Sequence, residues 1–547
     1  MCKGPDDKPP RRTDGLTLMR LSVIPLLVAT VLTSSAGLAA NVTVDTIPAL
    51  QSAIYHAAPG DVITVKDGVY PTTKPITVKC AGTADLPVTI TAETVGGVEL
   101  TGTNGFSISE PAAYVTIAGF NFTHASGKNA IGAGTGNIRF TRNTFRCTGN
   151  GAYLSVTGDD ARIDYNEFAE KKTSGSMIAV AGTGSQVARR LWIHHNHLHG
   201  FSLSAGGHAE VIRYGLGAFS QSTGAGLVEH NLFEDCTGQI ELILNSSSGN
   251  TYRYNTFLNS PNSQLTLRHG NDCIVYGNIL RNTAGLRIFG DRHQVYSNYF
   301  EGNYMGVNLG NGGAEASDGG AISGHDRPEH CVIVFNTFVD NRTHYQMSRR
   351  AIGALGANNI TFSDNLLIGG SVAAKIEGPY EGAVWADNVL WNVPNPGDLP
   401  AGAYAKADPG LTEGPDRLKR PSPDNPALQA APGSFPLVIF DLDGQPRSDP
   451  KTVGADQIST APVVARSLSP ADVGPHAGDT PVPATPSPEP PPPPEDNSTA
   501  PPATAAPPTL LAPPPTSTGE TAPTEQPESD QSPPATPETA PAGQGAP

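Results

Sequence analysis

Positive charge is scarce in this chain: 35 Lys and Arg stand against 51 Asp and Glu over 547 residues, a formal net charge of -16. A nucleic-acid surface needs the reverse, because its affinity comes from counterions released by clustered basic groups. Aromatic residues are also few, 6% of the chain, and none falls in the last 87 residues, Ala461 to Pro547, which hold 26 of the 51 prolines. Such a segment cannot bury enough apolar area to offset the entropy of ordering it. It is expected to be a disordered or polyproline-like acidic tail, serving as a spacer, a stalk or a cell-wall tether. A bilayer span is excluded as well, since it needs roughly 20 apolar residues and the stretch Leu21 to Leu32 is short and broken by Pro25. With Met19-Arg20 before it and Ala36-Gly-Leu-Ala-Ala40 after it, this stretch reads as a secretory signal starting at Met19 and cleaved after Ala39 or Ala40. The protein is therefore expected to be secreted.

Cysteine is sparse and unpaired in pattern. Of Cys2, Cys80, Cys147, Cys236, Cys273 and Cys331, removal of the leader leaves five, an odd number, and no CxxC occurs. A complete disulfide framework and a cysteine zinc site are both disfavoured. The last four lie in apolar, strand-like stretches, where a free cysteine serves as a small buried hydrophobe.

Helical periodicity is nearly absent, and a different period takes its place. An apolar residue, two residues, Asn, one residue and then Phe or Leu recur around Asn143, Asn166, Asn196, Asn231, Asn255, Asn278, Asn298, Asn336, Asn365 and Asn388. Several intervals are 20 to 24 residues, and insertions in loops account for the longer ones. This pattern predicts an all-β, right-handed parallel β-helix of about a dozen coils over residues 41–395. Leucine-rich repeats and propellers differ in residue pattern or period. Each Asn is expected at a tight corner, because it tolerates a left-handed backbone and can hydrogen-bond along a ladder of its own kind. Residues 1–40 form the leader, 396–460 a C-terminal extension packed on the last coils, and 461–547 the tail.

Gly249-Asn-Thr-Tyr-Arg-Tyr-Asn-Thr-Phe257, Leu265-Thr-Leu-Arg-His-Gly-Asn271, Gly285-Leu-Arg-Ile-Phe-Gly290 and His293-Gln-Val-Tyr-Ser-Asn-Tyr-Phe-Glu-Gly302 resemble polysaccharide lyase family 6, the family of chondroitinase B and several alginate lyases. Ala49-Leu-Gln-Ser-Ala-Ile54, Pro59-Gly-Asp-Val-Ile-Thr-Val65, Asp441-Leu-Asp-Gly-Gln-Pro-Arg447 and Val453-Gly-Ala-Asp456 are similar too. The resemblance implies β-elimination at a 4-linked uronate. Such a reaction neutralises the carboxylate, removes the carbon-5 proton with a base and protonates the leaving oxygen with an acid.

By resemblance the acid is Arg268, followed by His269. The family's Glu-x-Glu calcium pair falls on Gln239-Ile240-Glu241, and its base lysine falls on Ser246. The implied calcium would thus have Gln239 and Glu241 as ligands, one carboxylate fewer than the pattern and few oxygens for a hard dication. No other cofactor is expected. A serine hydroxyl does not titrate near neutral pH, so the base must come from His269, His208 or a lysine of another coil; His269 has the most suitable intrinsic pKa. Arg213, Arg287, Arg292 and Glu210 are candidate substrate contacts, with Arg349 and Arg350 further cations. Three readings stay open: a lyase on alginate-type or dermatan/chondroitin-type polymers, an inactive uronate-binding β-helix, and a structural or adhesive cell-surface protein. In each, the partner is an acidic polysaccharide or cell surface, and a monomer is expected.

Overall fold

The computed structural model describes residues 39–478, apart from 126–128, 203–209, 239, 316–323, 351–352, 423–424, 426–427 and 431–433. The expected leader before residue 39 and the chain after 478 lie outside the described residues. Two parallel sheets carry the fold. One holds 14 strands in chain order and forms the first face of a right-handed β-helix. The other holds 25 strands and contributes two segments per coil. Its second and third faces are joined through the bent strands Thr256–His269 and Ile279–Ile288.

The repeat sets the register. Phe140, Ile163, Ile193, Val228, Tyr252, Val275, Val295, Ile333, Phe362 and Trp385 pair in succession on the first face. The Phe and Leu residues after each Asn do the same on the second, where Phe145 and Phe168 stack at 4.5 Å and Phe233 and Phe257 at 4.6 Å. A side chain therefore meets its own kind one coil away, and the core is a column.

All ten asparagines join one buried ladder. At its centre the Oδ1 of Asn255 accepts from the backbone N–H of Asn231 at 3.1 Å and from its Nδ2 at 3.0 Å. The Nδ2 of Asn255 in turn donates to Asn278 Oδ1 at 3.0 Å and to the Val228 carbonyl at 2.9 Å. One part of the expectation is corrected: the left-handed residue is the one before the Asn. Tyr165, His195, His230, Tyr254, Ser297 and Phe335 have φ between 51° and 55°. That single left-handed step turns the chain, and the Asn after it points its amide along the axis.

The ends differ from the uniform coil. A helix the repeat pattern did not predict, Ile47–His56, starts at Thr46, whose Oγ1 accepts from Ala49 N at 3.3 Å. It buries Leu50 and Ile54 against the first coils, closing an interior that the repeat would leave open. The extension packs Leu418, Leu428, Val438, Leu442 and Val453 on Tyr276, Tyr299, Val334 and Leu366, outside the coil.

The expected disorder is corrected for residues 461–478. Leu468 and Val473 bury against Leu232, and Gly474 N donates to the His195 carbonyl at 2.9 Å. Arg142 donates to the Pro475 and Ala477 carbonyls at 2.7 and 3.1 Å. Two apolar anchors and a guanidinium clamp hold a strap whose mean composition suggests none.

Candidate active site

On the third face one row runs in register, Arg213, Leu244, Thr266, Arg287, Asn308, Gln346 and Lys375, of which Leu244, Thr266 and Asn308 are buried. Arg213 and Arg287 stand three coil rises apart, about 14 Å at the usual strand spacing. Beside this column the strand Thr256–His269 breaks register: Leu267 pairs with Asn245, and the next pair is His269 with Ser246. Arg268 is the extra residue of a β-bulge, a device that re-aims a side chain at the edge of a site.

Interior groups hold the bulge. Asn245, fully buried, donates from Nδ2 to the His269 carbonyl at 3.0 Å and to the Ser247 carbonyl at 2.8 Å. Its Oδ1 accepts from Tyr252 Oη at 2.8 Å and Asn250 Nδ2 at 2.9 Å. At Gly270, φ is +91° and a Cβ would stand 2.4 Å from the Ser247 carbonyl. Only glycine lets the chain leave the bulge this closely.

Arg268 donates from Nε to Nε2 of His325 at 3.2 Å. His325 was not singled out from the sequence. It arrives on the long insertion after the strand Met305–Leu309. There its carbonyl accepts from Gly313 N at 2.9 Å, and its ring stacks on Phe289 at 4.5 Å. His269 lies 5.7 Å away, ring to ring, and the Arg287 guanidinium sits 4.8 Å over Phe289.

Burial and the charges of Arg268, His269, Arg287 and Arg350 push the His325 pKa down to about 3. Burial and Arg268 push His269 down to about 4. Both imidazoles are neutral at neutral pH. Nε2 of His325 is the acceptor of the Arg268 bond, so its proton resides on Nδ1, whereas Nδ1 of His269 is buried without a partner. Burial and Asp326, the residue after His325, raise Asp291 to about 7.

The remaining candidates scatter. Ser246 is buried beneath His269. Arg213 keeps a buried Nε with no partner on the same face. Arg292 lies on the turn into the first face and is held by Asp272 at 2.8 and 3.0 Å, so the structure does not bring it to Arg268. Glu210 accepts from Ser176 Oγ at 3.2 Å and stands one coil before Glu241. Gln239 and His208 lie outside the described residues. Among the described residues no three His, Cys, Asp or Glu are grouped to hold a metal. Among the described residues, Glu210 and Glu241 are the carboxylates at this position, fewer oxygens than the roughly six to eight that calcium takes.

A cation-lined face with neutral imidazoles can bind a carboxylated chain and move a proton on it. The fold has known relatives. The PL6 family alginate lyase AlyGC superposes with a TM-score of 0.62 at 21% identity, covering 79% of this chain and 60% of that one. A mannuronic acid specific family 6 lyase from human gut microbiota gives 0.55 at 22%, covering 67% and 91%. The family 6 lyase Pedsa3628 from Pseudopedobacter saltans gives 0.55 at 17%, covering 76% and 99%. This chain thus spans about three fifths of the length of AlyGC, and at these identities the likeness speaks to the fold. No curated protein matches it. The sequence pattern described as Chondroitinase B matches residues 44–353 and takes in the central coils with their bulged arginine. With more than half of its length matched, the chain belongs to the chondroitinase B family.

Proposed function

We propose that the protein is an exported polysaccharide lyase that cleaves a 4-linked uronate polymer by β-elimination, with Arg268 and the His269–His325 pair as its reacting groups. The observation that carries this reading is the bulge that sets the Arg268 guanidinium against the neutral imidazole of His325 at 3.2 Å, beside the row that holds Arg287 and Arg213 in register. Family membership and the alginate lyase neighbours support the reaction class.

Arg287 and Arg268 offset the uronate carboxylate, which makes the carbon-5 proton acidic. The same carboxylate offsets the positive field that keeps His325 deprotonated, so the imidazole gains proton affinity when substrate arrives. Once Arg268 turns to the sugar, Nε2 of His325 is free to take the carbon-5 proton. The electron pair left behind forms the double bond between carbons 4 and 5, the bond from carbon 4 to the bridging oxygen breaks, and that oxygen is protonated at Arg268. Ser246 in place of the family's lysine favours the second reading, a groove that binds the polymer without cleaving it.

Incubation with alginate, dermatan sulfate or pectate separates the two. A lyase generates the ultraviolet absorbance of an unsaturated uronate, and the Arg268→Ala variant does so far more slowly. Retardation by one of these polymers with no absorbance from the wild type leaves binding alone. The apolar stretch before residue 39 and the proline-rich tail fit an enzyme exported and tethered or spaced from a surface. Among the described residues no helix is long and apolar enough to cross a membrane.

A further inference from the structure

A second concave site lies where the second and third faces meet, on the opposite end of the third-face strands from Arg268. This groove of ≈ 490 Å³ is bordered by Asn262, Asn282, Tyr304, Arg342 and Ser371. It crosses five successive coils, so it extends about 19 Å along the axis at the usual strand spacing. Its floor is rigid: Asn303 Oδ1 accepts from Thr283 N at 2.8 Å, and Asn341 Oδ1 accepts from Asn303 N at 2.9 Å.

On this floor stands an exposed aromatic. Tyr304 is 51% accessible, and the Arg342 guanidinium lies 4.8 Å over its ring. The acids at this corner are already taken: Asp340 by Lys419 at 3.1 Å, and Glu301 by Arg281 at 2.8 Å and Lys419 at 3.3 Å. Arg342 has no carboxylate partner among the described residues. An apolar ring face beside planar amides suits a pyranose, and an unneutralised guanidinium suits a carboxylate on it.

We propose that this groove is an accessory binding site for uronate units of the polymer, separate from the catalytic face. The inference rests on the uronate reading above. Thr283, in the groove, and Arg287, beside Arg268, are four residues apart on one bent strand, at most about 13 Å. One chain of several sugars can therefore reach both.

The test uses the full-length protein and the double variant Tyr304→Ala, Arg342→Gln. Affinity for long uronate polymer is expected to fall roughly tenfold, the loss of one stacked and one charge-assisted contact. Polymer KM should rise in step, while the rate on a uronate trisaccharide stays at the wild-type value. Polymer affinity and KM unchanged in a cleaving enzyme would overturn the accessory site and leave the lyase reading standing. A wild type that neither binds nor cleaves any uronate polymer overturns both. An equal loss of rate on the trisaccharide overturns the separation from the catalytic face.

Discussion

At the scale of single residues, the site depends on a register break. One extra residue between Leu267 and His269 takes Arg268 out of the strand pairing and sets it against His325. Replacing Arg268 by Ala should lower the rate of unsaturated-product formation by roughly 10²- to 10⁴-fold, with far-ultraviolet circular dichroism unchanged. Acid should be tolerated to an unusual degree. The base must be unprotonated to work, and burial with the arginine charges holds His325 down to about 3 and His269 down to about 4. The acid limb of kcat/KM, which reports the free enzyme, should therefore lie near or below pH 4 and not near the ordinary imidazole value of about 6.5. A limb near 6.5 rules out both imidazoles. Comparing His325→Gln with His269→Gln identifies which one carries the limb.

At the scale of elements, the asparagine ladder and the strap make separable contributions. Asn255 is fully buried, and its amide serves both neighbouring coils. Asn255→Ala leaves several buried donors and acceptors unmet, at about 1–3 kcal/mol each where no water enters. A loss of about 3 kcal/mol in chemical denaturation is expected, and a loss below 1 kcal/mol would mean that backbone pairing alone holds the corner. Leu468 is 8% exposed against Leu232. Leu468→Ala should cost about 2 kcal/mol and leave cleavage unaltered, because the strap lies away from Arg268.

At the scale of the whole molecule, enclosing histidines in a continuous column ties stability to pH. His293 and His344 are fully buried, and burial pushes both down to about 4. Between pH 6.5 and 4 the unfolded chain binds protons that the folded chain refuses, so their contribution falls as pH drops through that window. Each imidazole contributes a slope of up to about 1.4 kcal/mol per pH unit. Asp364, raised to about 6 by burial, acts in the opposite sense as pH rises. His344→Gln should flatten the acid side of the stability profile measured by denaturant titration at several pH values. An unchanged slope shows that other groups set it.

The sequence alone determined the coil, its register and its core, because each Asn and its flanking apolar residues see the same environment in every turn. That local periodicity places Phe140, Ile163 and Ile193, or Phe145 and Phe168, in contact without further information. It also singles out Arg268 as a candidate, through a motif carried on one strand. Tertiary structure decided what no period records. The helix Ile47–His56 closes the open first coil, and the left-handed step falls one residue before each Asn. Residues 461–478 bind along the coil through Leu468 and Arg142 despite a composition that suggests a free tail. His325 reaches Arg268 from 57 positions away, on an insertion that interrupts the repeat. A repeat predicts what stacks on its own kind, whereas these contacts join unlike parts of the chain and exist only once the column has formed.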